Sequence, residues 1–245
     1  INLPKVYPSK QFSDVTFVSA LPGYITDGMK RIKSIALNDK KGSYIFGRGR
    51  PHPFAFGSGK LIKDKIYFDY KYKFPKDISI DISHKQEDRL EGSLWTQSLK
   101  NSRFLIASEG GSSIFDFDGT VARLESSLDF TNTQNLTDKQ IFNKFFKKFD
   151  NNIIHKTITP RIFEAICCRT GLLLMEGSYR EIIKPDIHFI EIKKNFSNLK
   201  DVIKKIRDDQ FVEKLINRAY TDIAKSHSLS YKFFVSKLDI LIGKE

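Results

Sequence analysis

An uninterrupted apolar run, Leu172-Leu173-Leu174-Met175, limits the possible folds more strongly than any other part of the sequence. A strand that is apolar on both sides is buried on both faces, and such strands belong to parallel sheets that helices cover. The segment before this run opens with Thr159 and Pro160, which suit the N-cap and the first position of a helix, and it closes with Gly171. A well-marked helix that leads into a fully apolar strand predicts an α/β protein.

Patterns along the rest of the chain complete this prediction. Further strands are predicted over residues 15–18, 43–46, 103–107 and 187–192. Helices are predicted over residues 26–41, 94–99, 121–128, 141–149, 199–206, 211–224 and 231–242. Strand, helix and strand within residues 15–46 form a βαβ unit, so we predict a doubly wound parallel sheet with a helical array at its C-terminal end.

The same patterns predict the domain organisation. We expect residues 14–245 to form one domain and residues 1–13 to be an extension or linker. Residues 47–93 are predicted to be an irregular insertion. Glycines and prolines interrupt residues 47–53, and the β-prone residues that follow do not form one apolar face of a strand. The chain begins at Ile1 instead of methionine, so we expect a processed or trimmed piece.

The composition excludes several classes of protein. Hydrophobic residues make up 40% of the 245 residues, which is enough for a core and excludes wholesale disorder. No apolar stretch approaches the roughly 18–20 residues that cross a bilayer, so we do not expect an integral membrane protein. Cys167 and Cys168 are adjacent and rarely pair in such a position, which favours a reducing compartment and a place for both in the core.

The formal net charge of +12 points to an anionic partner. The candidates are nucleic acid, an anionic membrane surface and a phosphorylated small molecule, although most lysines suit a solvated surface. Tyr67, Tyr70 and Tyr72 alternate with lysines, an arrangement that can stack on single-stranded nucleic acid. No complete RNA-binding signature accompanies them, so we do not expect a nucleic-acid partner.

Ligands of a doubly wound sheet bind outside the carboxyl ends of its strands. The residues predicted there are glycines, arginines and acids, which together suit a diphosphate and a sugar. Each loop taken alone fits ordinary loop glycines and surface charges better, but the loops together at one edge of a sheet favour a ligand site. The candidate binding residues are Arg48, Glu109, Gly110, Gly111, Ser112, Thr159, Arg161, Glu176, Gly177 and Tyr179.

Glu164 is the most informative single residue. It lies one turn inside the helix that Thr159 begins, among strongly apolar neighbours, and a carboxylate there needs hydrogen-bond donors. One interpretation is a contact to a ligand at the sheet edge. The alternative is an ion pair with Arg161, three residues earlier on the helix.

Residues 159–174 resemble the nucleotide-sugar-binding half of the GT-B glycosyltransferases. In that family a helix of this type precedes an apolar strand and a loop of acids and glycines. Residues 179–185 and 196–199 and the closing helices resemble the bacterial surface-polysaccharide members. The resemblance covers nearly the whole chain from residue 14 and is best over residues 103–120 and 159–240. It implies one Rossmann-like half of a GT-B enzyme.

The resemblance also implies a donor substrate, a nucleoside-diphosphate sugar, and a role for each candidate. Glu164 matches the family glutamate that accepts the ribose hydroxyls, but Lys156 stands where many members have a second glutamate. The group that binds the sugar therefore stays open among Glu109, Glu176 and Tyr179. The groups implied for the diphosphate are Arg161, the amides of Gly110 and Gly111, and Arg48 or Lys60; Glu109 and Arg161 are the implied catalytic residues.

The implied reaction is the transfer of a sugar to a glycan or lipid-linked acceptor in the synthesis of a surface polysaccharide such as lipopolysaccharide. No bound metal is expected, because cationic groups take its place in this family. A whole GT-B enzyme has two Rossmann-like halves, so we expect the acceptor-binding half to be a separate chain or to have been removed. The positive charge fits a cytoplasmic protein with peripheral contact at the inner face of the cell membrane.

A second motif predicts a different enzyme. Residues 116–121 read Asp-Phe-Asp-Gly-Thr-Val and resemble the nucleophile motif of haloacid-dehalogenase-type phosphatases. Asp116 would attack phosphorus, Asp118 would be the general acid and base, and Mg²⁺ would offset their charge. The family also needs a later acidic pair, for which only Asp208 and Asp209 are available. A third alternative is a non-catalytic module that binds a nucleotide sugar or a glycan.

His52 stands in a loop of arginine, glycine and proline residues. A histidine there can contact a phosphate or act as a base, although a lone loop histidine usually does neither. We assign it no role from the sequence.

Overall fold

The computed structural model describes residues 6–7, 12–69, 73–128 and 133–243. Its centre is a five-stranded sheet, order β2-β1-β3-β6-β7, in which all neighbouring strands are parallel. A separate antiparallel pair consists of β4 and β5. The strands are β1 (Ile45–Arg48), β2 (Ile80–Ser83), β3 (Phe104–Ala107), β4 (Gly110–Ser112), β5 (His155–Thr157), β6 (Gly171–Met175) and β7 (Ile190–Ile192).

Helices lie on both faces of the sheet, which confirms the prediction of a Rossmann-like, doubly wound α/β fold. Alternate residues of each strand point to opposite faces, so a strand that is covered on both sides is apolar throughout, as β6 is. The helices are α1 (Asp27–Lys30), α2 (Ser58–Phe68), α3 (Gly92–Asn101), α4 (Thr120–Ser127), α5 (Asp138–Ile141), α6 (Pro160–Cys167), α7 (Leu199–Arg207), α8 (Asp209–Ala219) and α9 (Tyr231–Leu241).

Two cores hold these helices against the sheet. On one face, α3 and α6 pack against Phe46, Leu105 and Leu172. On the other face, α2, α7 and α8 pack against Ile45 and Phe104. A third, smaller core around Phe54, Ile114, Val121, Ile141 and Phe146 supports the region of α4 and α5. Within the described ranges, no helix combines the length and the apolar character that crossing a bilayer requires.

The direction of the strand order reverses between β1 and β3. From β1 the chain crosses to β2 at the edge, and from β2 it returns to β3 on the other side of β1. The loops that follow β1 and β3 therefore leave in opposite directions and open a crevice at the carboxyl edge. Open α/β sheets bind their ligands at such a point.

The predicted first strand, residues 15–18, is wrong. These residues have no regular secondary structure and pair with no strand of the sheet, and Val15 and Val18 are 51% and 56% exposed. The nearby Ile25 instead exchanges backbone hydrogen bonds with Leu229 and Tyr231, at the start of α9. The chain is therefore anchored to the C-terminal helices here, and the βαβ unit predicted over residues 15–46 does not form.

The helix predicted after Thr26 is also too long. Thr26 does cap a helix, since its hydroxyl accepts a hydrogen bond from the amide of Met29 at 3.1 Å. However, α1 ends after four residues, and a short 3₁₀ turn, Leu37–Asp39, completes the connection to β1.

Residues 47–93 are not an irregular insertion, which corrects the prediction. They supply the end of β1, the whole of α2 and the edge strand β2, which pairs with β1 from Ile80 to Ser83. The prediction failed because β2 is half-buried at the sheet edge and therefore lacks a continuous apolar run.

Smaller differences concern element lengths. The helix predicted over residues 141–149 is divided into the end of α5, a π-helical turn and a 3₁₀ turn. The strand predicted over residues 187–192 begins only at Ile190. Most of residues 1–13, together with Tyr70 and Tyr72 of the tyrosine and lysine pattern, lie outside the described residues.

Candidate functional site

A cleft of about 690 Å³ opens where the strand order reverses. Its walls are the loops after β1 and β3, the first half of α6, the start of α3 and side chains of α2. The structure brings six of the predicted binding residues together around it. They are Arg48, Glu109, Gly110, Thr159, Arg161 and Glu164.

Glu164 borders this cleft from α6, and its partner is the indole of Trp95. Trp95 Nε1 donates a hydrogen bond to Glu164 Oε2 at 2.7 Å. Oε1 of the same carboxylate makes no hydrogen bond within the described ranges. The alternative ion pair between Glu164 and Arg161 is not formed, because the guanidinium of Arg161 has other partners. One carboxylate oxygen is therefore fixed by the protein and the other is left for a ligand.

Arg161 is fixed at the same edge of the cleft. Its Nη1 donates to the carbonyl oxygen of Arg48 at 2.6 Å, and its guanidinium lies 5.6 Å from the centre of the Trp95 ring. It also contacts the hydroxyl of Tyr67; burial raises the pKa of that hydroxyl, and the charge of Arg161 partly opposes the increase. Three neighbours therefore orient a guanidinium whose remaining donors can bind an anion.

Thr159 precedes α6 with the extended backbone of an N-cap, as predicted. Its side chain, however, does not cap the helix. Thr159 Oγ1 is buried and has no hydrogen-bond partner within the described ranges. A buried hydroxyl without a partner is rare in native proteins, and here it belongs to a residue that borders the cleft.

Arg48 borders the cleft, but its guanidinium is already used. It donates to the carbonyl oxygens of Gly47, Asp81 and Asp88 and to the carboxylate of Asp81. The ion pair with Asp81 measures 2.7 Å and ties β1 to β2. Arg48 thus stabilises the sheet edge and leaves few donors for a phosphate.

Glu109 stands after β3 and is bound by the loop that follows β6. Its Oε1 accepts hydrogen bonds from the amides of Ser178 and Tyr179 at 3.1 and 2.7 Å and from the Ser178 hydroxyl at 3.1 Å. Gly177 makes room for this carboxylate, since a Cβ at Gly177 would lie 2.5 Å from Glu109 Oε2. The predicted Glu109 and Gly177 are thus in direct contact with each other.

The side chain of Tyr179 does not reach the site, which corrects its predicted role. It is fully buried, and its hydroxyl donates to the carbonyl oxygen of Met175 at 2.5 Å. Only its backbone amide faces the site, through the bond to Glu109.

A second cavity of about 250 Å³ adjoins the cleft. The two share Lys63, Ser108, Glu109 and Gly110. The predicted residues Gly111, Ser112 and Glu176 line this second cavity. Gly111 has a structural reason to be glycine: its φ is +102°, and a Cβ there would lie 1.7 Å from the carbonyl oxygen of His155 on β5.

Lys60, predicted for the diphosphate, does not reach the cleft. Its ammonium group is buried between Asp64 and Asp138, with Nζ–O distances of 2.7 and 2.6 Å. Lys63, one turn later on α2, borders both cavities instead. Its ammonium donates to the carbonyl oxygen of Gly111 and lies 4.8 Å from the centre of the Phe56 ring. Burial lowers the pKa of Lys63 to about 8, although Asp64 and Glu109 oppose the decrease.

Sequence reasoning missed Lys63 and Trp95. Lys63 is one lysine among many, and nothing local distinguishes it from Lys60. Trp95 is the only tryptophan of the chain and was assigned only to a short helix. Its position next to Glu164 depends on the packing of α3 against α6, which no local pattern predicts.

The phosphatase interpretation is contradicted by the position of its acids. Asp116 caps α4, since its carboxylate accepts hydrogen bonds from the amides of Val121 and Ala122 at 3.1 and 2.9 Å. Asp118 is exposed, and a hydrogen bond from Thr120 lowers the pKa of its carboxyl. Neither follows a strand of the parallel sheet.

The later acidic pair lies elsewhere. Asp208 caps α8, and Asp209 pairs with Arg103, which directly precedes β3 at the amino edge of the sheet. The two pairs of acids therefore face opposite edges and cannot share one phosphoryl group.

The sequence matches no family model and no curated protein. Among solved structures, the chain is similar to the crystal structure of TarM, with a TM-score of 0.46 and 12% identity over 93% of this chain and 39% of TarM. It is also similar to the C-terminal domain of LpcC, a glycosyl transferase group 1 family protein from Francisella tularensis, with a TM-score of 0.36 and 15% identity over 76% of this chain and 88% of that domain. The chain thus spans about 39% of the length of TarM.

Proposed function

We propose that residues 14–245 are the donor-binding half of a GT-B-type glycosyltransferase and that the cleft binds a nucleoside-diphosphate sugar. The observation that carries this proposal is the pair Arg161 and Glu164 on α6, at the point where the strand order reverses. Both border the cleft, and each is oriented by a neighbour, the Arg48 carbonyl and the Trp95 indole. A cation and a carboxylate one turn apart suit a phosphate and a sugar hydroxyl of one ligand.

The ribose is assigned to Glu164. With Oε2 fixed by Trp95, Oε1 is the oxygen that accepts hydrogen bonds from the ribose hydroxyls. The buried hydroxyl of Thr159 gains a partner when the ligand fills the cleft, which removes the cost of leaving it unsatisfied.

The diphosphate is assigned to Arg161 and Lys63, with Arg50 at the rim of the cleft. Arg50 is exposed and has no ion-pair partner within the described ranges, so its charge is available. These residues replace Arg48 and Lys60, whose charged groups the protein itself uses. Positive charge at this position also supports the chemistry, because the leaving diphosphate gains negative charge in the transition state.

The sugar is assigned to the junction of the two cavities, beside Glu109 and Glu176. In the proposed reaction an acceptor hydroxyl oxygen forms a bond to the anomeric carbon and gives up its proton to a base. The bond between that carbon and the diphosphate oxygen breaks, and the electron pair leaves with the diphosphate. The acceptor, a glycan or a lipid-linked glycan of a surface polysaccharide, is assigned to a second domain at the inner face of the cell membrane. Binding without transfer, even with that second domain supplied, would indicate the non-catalytic module instead.

A nucleotide panel tests the donor site. We expect one of UDP, GDP, CDP, ADP and dTDP to raise the melting temperature, since a ligand at 100 times its dissociation constant adds about 2.7 kcal/mol of stability. Glu164→Gln should weaken binding of that nucleotide about tenfold, because a charged acceptor of the ribose hydroxyls is lost while the shape is kept. Isothermal titration calorimetry measures both affinities.

The matched control is Glu213→Gln, the same substitution at an exposed position of α8. It should leave the affinity unchanged. The proposal is wrong if none of the five nucleotides binds, or if Glu164→Gln lowers the melting temperature of the empty protein and leaves the affinity as it was.

Lys63 predicts a pH dependence of this binding. Its pKa of about 8 means that the ammonium is charged below this pH and neutral above it. The affinity for the nucleoside diphosphate should therefore decrease as the pH rises from about 7 to about 9. Lys63→Met should bind more weakly at pH 7 and lose most of this dependence, whereas Lys204→Met, at an exposed position of α7, should keep it. Parallel pH profiles for wild type and Lys63→Met would contradict the assignment.

A further inference from the structure

The loop that carries His52 is constrained on both sides of the histidine. Pro51 and Pro53 flank the histidine and restrict the backbone on both sides. The 3₁₀ turn that follows, Phe54–Phe56, is anchored because the amides of Phe54 and Ala55 donate to the carboxylate of Glu125 at 2.7 and 3.1 Å. His52 is thus placed by the fold, unlike an ordinary histidine of an exposed loop.

A buried carboxylate orients the imidazole. His52 Nδ1 lies 2.9 Å from Asp64 Oδ1, and the side chains of His52 and Asp64 are only 15% and 7% exposed. Asp64 Oδ2 accepts from Lys60, which also binds Asp138. Burial alone would raise the pKa of Asp64, but the hydrogen bonds from His52 and Lys60 outweigh it and lower the pKa. Ionised Asp64 only accepts hydrogen bonds, so Nδ1 is the donor and Nε2 is left without a partner within the described ranges.

His52 belongs to the wall of the cleft. Its ring lies 5.1 Å from that of Phe56, and Lys63 Nζ lies 4.8 Å from the centre of the same Phe56 ring. The imidazole and the ammonium assigned to the diphosphate are therefore neighbours across one aromatic side chain. When both ring nitrogens carry a proton, Nδ1–H remains on Asp64 and Nε2–H is a donor for an anionic oxygen.

We propose that His52 contacts the diphosphate of the donor through Nε2 and that Asp64 is its positioning residue. This inference rests on the proposed function, since it assigns a further group to the same ligand. His52 adds a directional hydrogen bond beside the charge of Lys63, at the group that leaves in the reaction.

Two amide substitutions of His52 distinguish a direct contact with the diphosphate from a purely structural role of this residue. Asparagine places its amide nitrogen near the position of Nδ1 and retains the bond to Asp64 without a group at Nε2. Glutamine places its amide near Nε2. We expect His52→Asn to weaken binding of the selected nucleoside diphosphate about tenfold, with the affinity for the parent nucleoside changed less than twofold. His52→Gln should recover most of the lost affinity.

Calorimetry is run with UDP, GDP, CDP, ADP and dTDP, their nucleosides, and inorganic pyrophosphate as a probe without a base. His227→Asn, at an exposed histidine next to Phe233, is the control. The inference is overturned if His52→Asn binds the diphosphate as wild type does, or if it weakens nucleoside and diphosphate equally. If wild type binds no nucleotide, the proposed function fails and this inference fails with it.

Discussion

Replacing Lys60 with methionine is expected to lower the free energy of unfolding by about 3–5 kcal/mol near pH 7, because it removes one partner of a buried ion pair. The ammonium of Lys60 is bonded to Asp64, which is 5% exposed, and to Asp138. Methionine keeps a similar unbranched apolar side chain, so the loss comes mainly from the ammonium, which also lies 4.8 Å from the centre of the Phe54 ring. What remains is a buried carboxylate with only His52 as a partner.

The dependence of this loss on pH has a definite sign. Burial opposes ionisation of both groups, but hydrogen bonds from His52 and Lys60 lower the pKa of Asp64 from 3.8, and hydrogen bonds to Asp138 and Asp64 raise the pKa of Lys60 from 10.5. The contribution of Asp64 is therefore present above its unfolded pKa and is lost as the pH falls through the lowered folded value. The contribution of Lys60 is present below its unfolded pKa and is lost as the pH rises through the raised folded value. The stabilisation is complete between those limits.

Urea unfolding of wild type and Lys60→Met from pH 3 to pH 8 measures the effect. The difference should be largest above about pH 5 and should shrink in acid, where Asp64 becomes protonated. Lys214→Met, at an exposed position of α8, should change stability by less than about 0.5 kcal/mol. The double variant Lys60→Met with Asp64→Asn should recover part of the loss, since the uncompensated charge is gone. A loss that is the same at every pH would show that packing, not charge, is responsible.

The elements with local signals are those that the sequence predicted well. The helix α6 has Thr159 and Pro160 at its start, and Gly171 opens β6 soon after its end. The strand β6 is apolar throughout because both of its faces are covered. These signals need no knowledge of distant residues, and they also placed Arg161 and Glu164 at the correct edge of the sheet.

The failures involve partners that are distant in sequence. Residues 15–18 have the apolar character of a strand, but no neighbouring strand is available and Ile25 pairs with residues more than 200 positions away. The spacing of Arg161 and Glu164 favours an ion pair on an isolated helix. Trp95, on another helix, provides Glu164 with a half-buried donor instead. Asp138, which lies outside α2, likewise binds Lys60. Lys63, and not Lys60, is therefore the α2 lysine that borders the cleft.

Replacing Arg161 with methionine is expected to have the largest effect on ligand binding, a loss of roughly 10–100-fold in affinity for the nucleoside diphosphate. The Arg48 carbonyl and the Trp95 ring already orient the guanidinium in the free protein. The side chain therefore loses little conformational entropy when the ligand binds. Hydrogen bonds to charged groups contribute roughly 1.5–3 kcal/mol each, and about 1.4 kcal/mol corresponds to a tenfold change. Calorimetric titration with the selected nucleotide measures the loss.

Arg161→Lys separates charge from geometry. Lysine keeps the positive charge but cannot both donate to the Arg48 carbonyl and present a planar fork to the diphosphate, so we expect it to recover only part of the affinity. Arg207→Met is the control, because it removes one positive charge at an exposed ion pair with Asp77, far from the cleft in the fold. It should leave the affinity within about twofold, which excludes a general effect of net charge.

Combining Arg161→Met with Glu164→Gln tests whether the two residues contact different parts of one ligand. If Arg161 binds the diphosphate and Glu164 the ribose, the double variant should bind the nucleoside diphosphate more weakly than either single variant, with a coupling of no more than about 1 kcal/mol through their shared neighbour Trp95. With the nucleoside alone, Arg161→Met should have little effect while Glu164→Gln retains its full effect. A strong coupling between the two substitutions, or an equal effect of both on the nucleoside, would mean that Arg161 acts by positioning Trp95 and Glu164 and does not itself bind phosphate.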